Sequence, residues 1–338
     1  MLSRKGFDTK SDDSNNPIGI PCAHFEGPRI VAIGGGTGLS VLLSGLKAFS
    51  DNLSALVTVA DDGGSSGILR RELGLLPPGD FRNCLVAMSD SDSIVKDLFQ
   101  YRFDQGNGLE GHSFGNIFIA AMANVTGSFE SAISESRKLL SVRGQIFPCT
   151  LANLSLTAEL ADGTLVTGES TISGESGPIF RIGIDPSDAV AYPQALEAIS
   201  KAQLIVIGPG SLYTSVIPNL LVNGISDAIK SSSATKIYVC NVSTQKGETD
   251  NHTLSDHLHA LQKHTFKEIV DYVITNVNHI QLSPPFLGHP VQNDDVNLNN
   301  INLIGRDLVD PSTPVRHDSE KLAQVIMDVY HCNSNNVS

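Results

Sequence analysis

The sequence predicts an α/β fold of the doubly wound kind, a mostly parallel Rossmann-like sheet carrying a small antiparallel β excursion. Three observations predict it. Short, continuous apolar runs recur along the chain and most are followed by a helical pattern, the alternation expected of a parallel sheet covered on both faces. Five of these runs end in glycine or polar loops, and ligands of this fold class bind outside the carboxyl ends of the strands. A length of 338 residues with 41% hydrophobic content supplies a large core.

Residues 1–28 are rich in Ser, Asp, Asn and Lys without periodicity, and read as a flexible tail. Nothing in them resembles the apolar segment of a signal peptide, and no run in the chain approaches the roughly 18 uncharged apolar residues of a membrane span, so a cytoplasmic protein is expected. Residues 29–331 read as one domain. "RIVAIG" passes into "LSVLLSGLKAF", "ALVTVA" passes into a loop, and "FRNCLVAM" with "GNIFIAAMANV" forms a helical pair between Phe81 and Val125. Residues 145–184 alternate with a period of two around an Asp162-Gly163 turn, which marks the antiparallel excursion. "LIVIG" with "PNLLVNGISDAI", "KIYVCNV" with "SDHLHALQKH", and then "DYVITN" restore the parallel pattern. Residues 332–338 read as a second tail.

A formal charge of −13 argues against a nucleic-acid surface, which needs clustered Lys and Arg. A small anionic ligand stays open, because helix N-termini and bare amides hold phosphate without net positive charge. Five cysteines without CxxC spacing read as reduced, mostly buried thiols.

The first strand end, "GGGTG" (Gly34 to Gly38), lies where dinucleotide folds pack pyrophosphate against backbone amides. Gly34 and Gly36 match the first two glycines of GxGxxG, but Leu39 stands at the third. Glycines there also allow close helix-to-strand packing with no ligand. The second, "VADDGGSSG", offers Asp61 and Asp62; one carboxylate can read a ribose hydroxyl, two can hold Mg²⁺, and a turn-capping Asp accounts for one better than for two. Asp62 is the favoured ligand residue. In "PPGDFRNC", Asp80 reads as an N-cap, and Arg82 opposes the helix dipole unless it meets a phosphate or pairs with Asp61 or Asp80. "GHSFGN" repeats the arrangement, with His112 as either a general acid or a cap. "GPGSLYT" and "NVSTQKGETD" complete a crowd of polar strand ends suited to a large polar ligand. His252, His257, His259 and His264 lack zincin spacing and read as surface residues, and no GxSxG elbow surrounds Ser65 or Ser66.

Taken together, "GGGTGLSVLL", "VADDGGSSGILRRELGLLPPGDFRNCLVA", "GHSFGN", "IGPGSLYTSVIPNLLV" and "NVSTQKGETD" resemble the bacterial gluconeogenesis factor family (YvcK type), a branch of the CofD-like superfamily, over about Arg29 to Tyr330. The resemblance implies a cytosolic regulatory protein that binds UDP-N-acetylglucosamine and is needed for growth on gluconeogenic carbon and for cell shape and wall precursor balance. It implies no required cofactor and no established reaction, an unidentified amino-sugar or wall-synthesis partner, and a homodimer. Carried onto this chain, the family's ligand contacts fall on Gly35, Gly36, Thr37, Gly38, Asp62, Gly63, Gly64, Ser65, Ser66, Asn83, His112, Asn116, Gly210, Ser211 and Leu212, with Arg316 in "TPVRHDSEKLAQVI". Phe286 stands where the family usually has a tyrosine before a "PV…D" segment, keeping a stacking ring without the hydroxyl. The sister branch, 2-phospho-L-lactate transferase, implies the alternative: a Mg²⁺-dependent group transfer in which Asp61 and Asp62 hold the metal and Asp62 and His112 are the catalytic candidates. An NAD(P)-binding protein is the third alternative, resting on the glycine loop alone.

Overall fold

Ile30 to Ile33 form an uninterrupted apolar run with no polar face, so the strand they make is stable only with both faces covered, and it lies in the interior of the sheet. A computed structural model describes residues 27–174, 177–286, 288–294 and 301–336. The chain begins β1 (Ile30–Gly34), α1 (Gly36–Leu46), β2 (Leu53–Val57), α2 (Gly64–Leu73), α3 (Gly79–Met88), α4 (Ser93–Gln100), α5 (Phe114–Thr126) and α6 (Phe129–Leu139). It continues through β3 (Gln145–Pro148), β4 (Ser155–Leu160), β5 (Leu165–Thr167), α7 (Glu169–Ile172), β6 (Ile179–Asp185), α8 (Pro193–Lys201) and β7 (Leu204–Ile207). A π-helical turn (Leu212–Val216) then leads into α9 (Ile217–Leu221), α10 (Ile225–Ser231), β8 (Thr235–Val239), α11 (Leu254–His264) and β9 (Tyr272–Asn276). β10 (Asn302–Arg306), β11 (Val309–Asp310), β12 (Thr313–His317) and α12 (Ser319–Asn336) complete it.

Seven strands form one parallel sheet in the order β10-β9-β8-β7-β1-β2-β3. The chain winds outward from β1 through β2 to β3, then returns to β7 and winds the other way. The order therefore reverses between β1 and β7, and right-handed crossovers place α1 on one face and α9 and α10 on the other. Leu39, Leu42, Leu43 and Leu46 recur at helical spacing on α1 and are fully buried, each contributing about 1.5–3 kcal/mol of burial. The doubly wound α/β expectation is met. Among the described residues no single helix is long and apolar enough to cross a membrane.

Three expectations change. The antiparallel unit is β5-β4-β6, with the Asp162-Gly163 turn between β4 and β5, and so begins at Ser155 instead of Gln145. Gln145–Pro148 extends the main sheet by pairing parallel to β2; four residues ending in proline carry too little pattern to announce a strand. The C-terminal boundary at residue 331 is also too early, since α12 continues to Asn336. β10 was absent from the pattern because its residues are half-exposed at the sheet edge and show no continuous apolar run. The expected N-terminal tail lies outside the described residues, apart from Gly27 and Pro28.

α12 returns across α1 at Gly45, where an added Cβ would stand 2.1 Å from the Ser319 carbonyl oxygen and 2.9 Å from the Ala323 Cβ. Gly45→Ala is expected to lower unfolding free energy by about 1–3 kcal/mol in urea denaturation. An unchanged midpoint would show that this helix crossing is not rigid.

Candidate functional site: a polar cleft at the strand-order reversal

The carboxyl ends of β1 and β7 open into a cleft of about 760 Å³, within the range of small-ligand sites. Its floor is the "GGGTG" turn. Gly36 takes φ 62°, a left-handed conformation that favours glycine, and starts α1, whose first-turn amides have no intrahelical partner. A Cβ on Gly38 would lie 2.6 Å from the Pro209 carbonyl oxygen, so the β1 and β7 loops meet backbone to backbone. Asn219 Nδ2 donates to the Gly34 carbonyl at 3.0 Å and locks that contact from below.

The β7 loop is fixed from the other side. Asn241, after β8, accepts from the Gly210 amide at 3.2 Å and donates to the Gly210 carbonyl at 2.8 Å, while Gln245 Nε2 donates to Ser211 Oγ at 2.7 Å. The π-helical turn after Ser211 keeps Thr214 and Ser215 on the cleft wall. Lys246 and Arg316 are exposed cations on the rim, and Phe286 adds an aromatic ring.

The same cleft has an acidic wall of Asp61, Asp80 and Glu169, with Asp80 directly against the Gly35–Gly36 turn. Asp80 is not the cap expected of it; its helix starts after Pro78, and its buried carboxylate accepts the Gly36 amide. Burial pushes its pKa up to about 6, with Asp61 adding to the rise and the Gly36 hydrogen bond opposing it. Glu169 is pushed up to about 7, first by burial and then by Asp61, Asp62, Glu248 and Asp80. Thr58 lines the same cleft with a buried hydroxyl that has no partner among the described residues.

The expected site residues divide into two groups. Gly35, Gly36, Thr37, Gly38, Gly210, Ser211, Phe286 and Arg316 line the cleft. Asp62 turns away: its two oxygens accept the Ser170 and Glu169 amides at 2.9 and 3.0 Å, so it caps α7, while Asp61 accepts the Gly63 amide and faces the cleft. The pair is thereby separated, and Asp61 has Asp80 and Glu169 as its acidic neighbours on the wall. Gly63 and Gly64 form the start of α2. Leu212 is fully buried in the core, which leaves its side chain no contact with the cleft.

Ser65, Ser66, His112 and Asn116 form a buried polar network near the acidic wall, and half-buried Asn83 joins it only through Arg82. His112 Nδ1 lies 3.0 Å from Ser65 Oγ, Asn116 Nδ2 donates to Ser65 Oγ at 3.1 Å, and Ser66 Oγ accepts the Gly79 amide at 3.1 Å. His112 is therefore not a cap; Ser113 is, accepting the Asn116 amide. Arg82 resolves its unfavourable first-turn position by donating to Ser113 Oγ and, at 2.9 Å, to Asn83 Oδ1, with no carboxylate within ion-pair distance among the described residues. The histidines on α11 are not all superficial: His257 is buried, and desolvation lowers its pKa to about 4.

Sequence reasoning missed Thr58, Glu169, Ser215, Lys246 and His317 on the cleft wall, and gave Asp80 a different role. The signal for Asp80 was present in "PPGD", where a proline turn ahead of the helix left the aspartate inside it. For Glu169 there was none, because the β excursion returns it to the cleft from 107 residues beyond Asp62.

The raised pKa of Asp80 has a stability consequence. The folded chain binds its proton more tightly than the unfolded chain, whose value is 3.8, so stability is greatest below that value and falls as pH rises towards about 6. Asp80→Asn removes this loss. The variant's melting temperature relative to wild type is expected to rise between about pH 4 and pH 7; a pH-independent difference in thermal melts would contradict a buried carboxylate whose desolvation outweighs its hydrogen bond.

The profile for the family "2-phospho-L-lactate transferase CofD" matches residues 30–333. A putative gluconeogenesis factor of Nostoc sp. is 49% identical over 328 residues, covering 93% of this chain and 72% of that protein. The gluconeogenesis factor of Bacillus subtilis is 43% identical, covering 89% of this chain and 98% of that protein. A crystal structure of a UPF0052-family protein from Bacillus halodurans superposes with a TM-score of 0.85 at 46% identity, over 89% of this chain and 99% of that one. With this fold, these loops and these relatives, the chain belongs to the gluconeogenesis factor family, within the CofD group.

Proposed function

We propose that the protein is a cytosolic, non-catalytic regulator that binds a nucleoside diphosphate sugar, UDP-N-acetylglucosamine, at the strand-order reversal. The observation that carries this is the cleft itself: Thr37 and Gly38, whose first-turn amides have no intrahelical partner, line it together with Gly210 and Ser211, with Arg316 and Lys246 on the rim. Such amides favour a diphosphate. The ring of Phe286 offers a stacking surface for a base. The relatives' names support a role in growth on gluconeogenic carbon, and an amino-sugar nucleotide links that role to cell shape and wall precursor balance through an amino-sugar or wall-synthesis protein and, on the family resemblance, a homodimer.

A second reading has its own support. The name of the matching family suits a group transfer beside the phosphate-type loop, although among the described residues no three His, Cys, Asp or Glu side chains are grouped as metal ligands. Release of GMP from a guanylyl-phospholactate donor in the presence of a deazaflavin and Mg²⁺ would favour it. The NAD(P) alternative retains only the incomplete glycine pattern.

Equilibrium titration with UDP-N-acetylglucosamine, UDP, GDP and NADP is expected to show tightest binding of the amino-sugar nucleotide. Arg316→Ala should weaken it about tenfold without lowering the melting temperature, since its guanidinium is exposed and a charged hydrogen bond contributes about 1.5–3 kcal/mol. No preference among the four ligands would sink the proposal.

A further inference from the structure

The cleft has two halves of opposite chemistry, amides with cations and a wall of carboxylates, and one phosphate group cannot satisfy both. The acidic half contains an acceptor without a donor. Asp61 accepts from Gly63, Asp62 from Glu169 and Ser170, Asp80 from Gly36, and Glu248 through Oε1 from Thr214 and Ser173, its Oε2 having no partner among the described residues. Among the described residues no donor reaches the half-buried carboxylate of Glu169. A half-buried carboxylate left in this state calls for a donor from outside the chain.

Its placement is also imposed. α7 is a single turn of four residues, too short to be stable alone. Asp62 holds its first two amides, and Ser173 at its end donates to Glu248 Oε1 at 3.3 Å. Two distant loops thus pin the turn that carries Glu169 into the cleft. A second, independent group points the same way. Thr58 is 3% exposed, its hydroxyl is unpartnered among the described residues, and it flanks Gly35 beside Asp80: a Cβ on Gly35 would meet Thr58 Cγ2 at 2.6 Å and Asp80 Oδ2 at 2.7 Å.

Resting on the sugar-nucleotide reading above, we propose that Glu169, backed by Asp61, Asp80 and the Thr58 hydroxyl, is the specificity residue for the non-phosphate end of the ligand, accepting hydrogen bonds from hydroxyl or amide N–H groups of a neutral sugar. The diphosphate is repelled from this wall and kept on the amides of Thr37 and Gly38 at the start of α1, which fixes the ligand's direction in the cleft. A bare nucleoside diphosphate fills only the amide half.

The test is calorimetric titration of wild type, Glu169→Gln and Thr58→Val with UDP-N-acetylglucosamine and with UDP, each in EDTA and in Mg²⁺. Glu169→Gln is expected to weaken the sugar nucleotide about tenfold and to leave UDP within about twofold of wild type, with a smaller, sugar-only loss for Thr58→Val. If Glu169→Gln does not fold, Glu169→Asp carries the same comparison, since it withdraws the acceptor and keeps the charge. Equal weakening of both ligands, or of neither, overturns the inference. So does a wild-type preference seen only with Mg²⁺ and lost in Glu169→Gln, which would make the residue a cation ligand. Wild type binding neither nucleotide removes the proposed function itself, whereas wild type binding both with an unaffected variant removes only the role of Glu169.

Discussion

The close approach of two backbone turns, Gly38 against the Pro209 carbonyl, is the constraint on which the rest of the site depends. It occurs where the strand order reverses between β1 and β7, the one place in a doubly wound sheet where neighbouring crossovers leave by opposite faces and the strand ends splay apart. Without side chains in the way, the two turns can share a wall of amides. Asn219 beneath and Asn241 above then satisfy the carbonyls and amides that the turns leave over. The cleft floor is therefore built largely from main chain, with backbone amides and carbonyls in place of side chains.

The acidic wall is held by electrostatic tension. Asp80 and Glu169 are driven up in pKa, mainly by burial, and Asp61 adds like charge to both. Such a wall is stable only because each neighbouring carboxylate is given backbone or hydroxyl donors, and because the polar network of Ser65, Ser66, His112 and Asn116 packs near it. Asp62 is part of this support. Its two hydrogen bonds tie the antiparallel unit to the main sheet, so the excursion contributes one wall of the cleft instead of standing as an appendage.

Legibility followed burial. Strands with continuous apolar runs, β1, β2, β7, β8 and β9, were visible because both of their faces are covered. β3 and β10 are the two edges of the sheet, one short and one half-exposed, and their sequences carry no such pattern. The same division holds at the site. Gly35 to Gly38, Gly210 and Ser211 lie next to the strand ends that announce them, and they line the cleft. Asp61 and Asp62 are adjacent and chemically identical, so only the direction in which each carboxylate points could separate a cleft residue from a helix cap.

By itself the sequence determined the fold class and the position of the glycine loops, because apolar periodicity and glycine placement act over a few residues, and its longer motifs carried the family resemblance. Tertiary structure alone decided which acids face the cleft and which hold the scaffold. Glu169 reaches the cleft through a β excursion whose contacts span more than one hundred positions, as with the Asp62 bond across 107 residues. Asp80 changes from cap to buried wall because Gly36, from another strand end, comes to meet it. Burial and partner choice are properties of chain segments brought together by folding, and no local pattern encodes them.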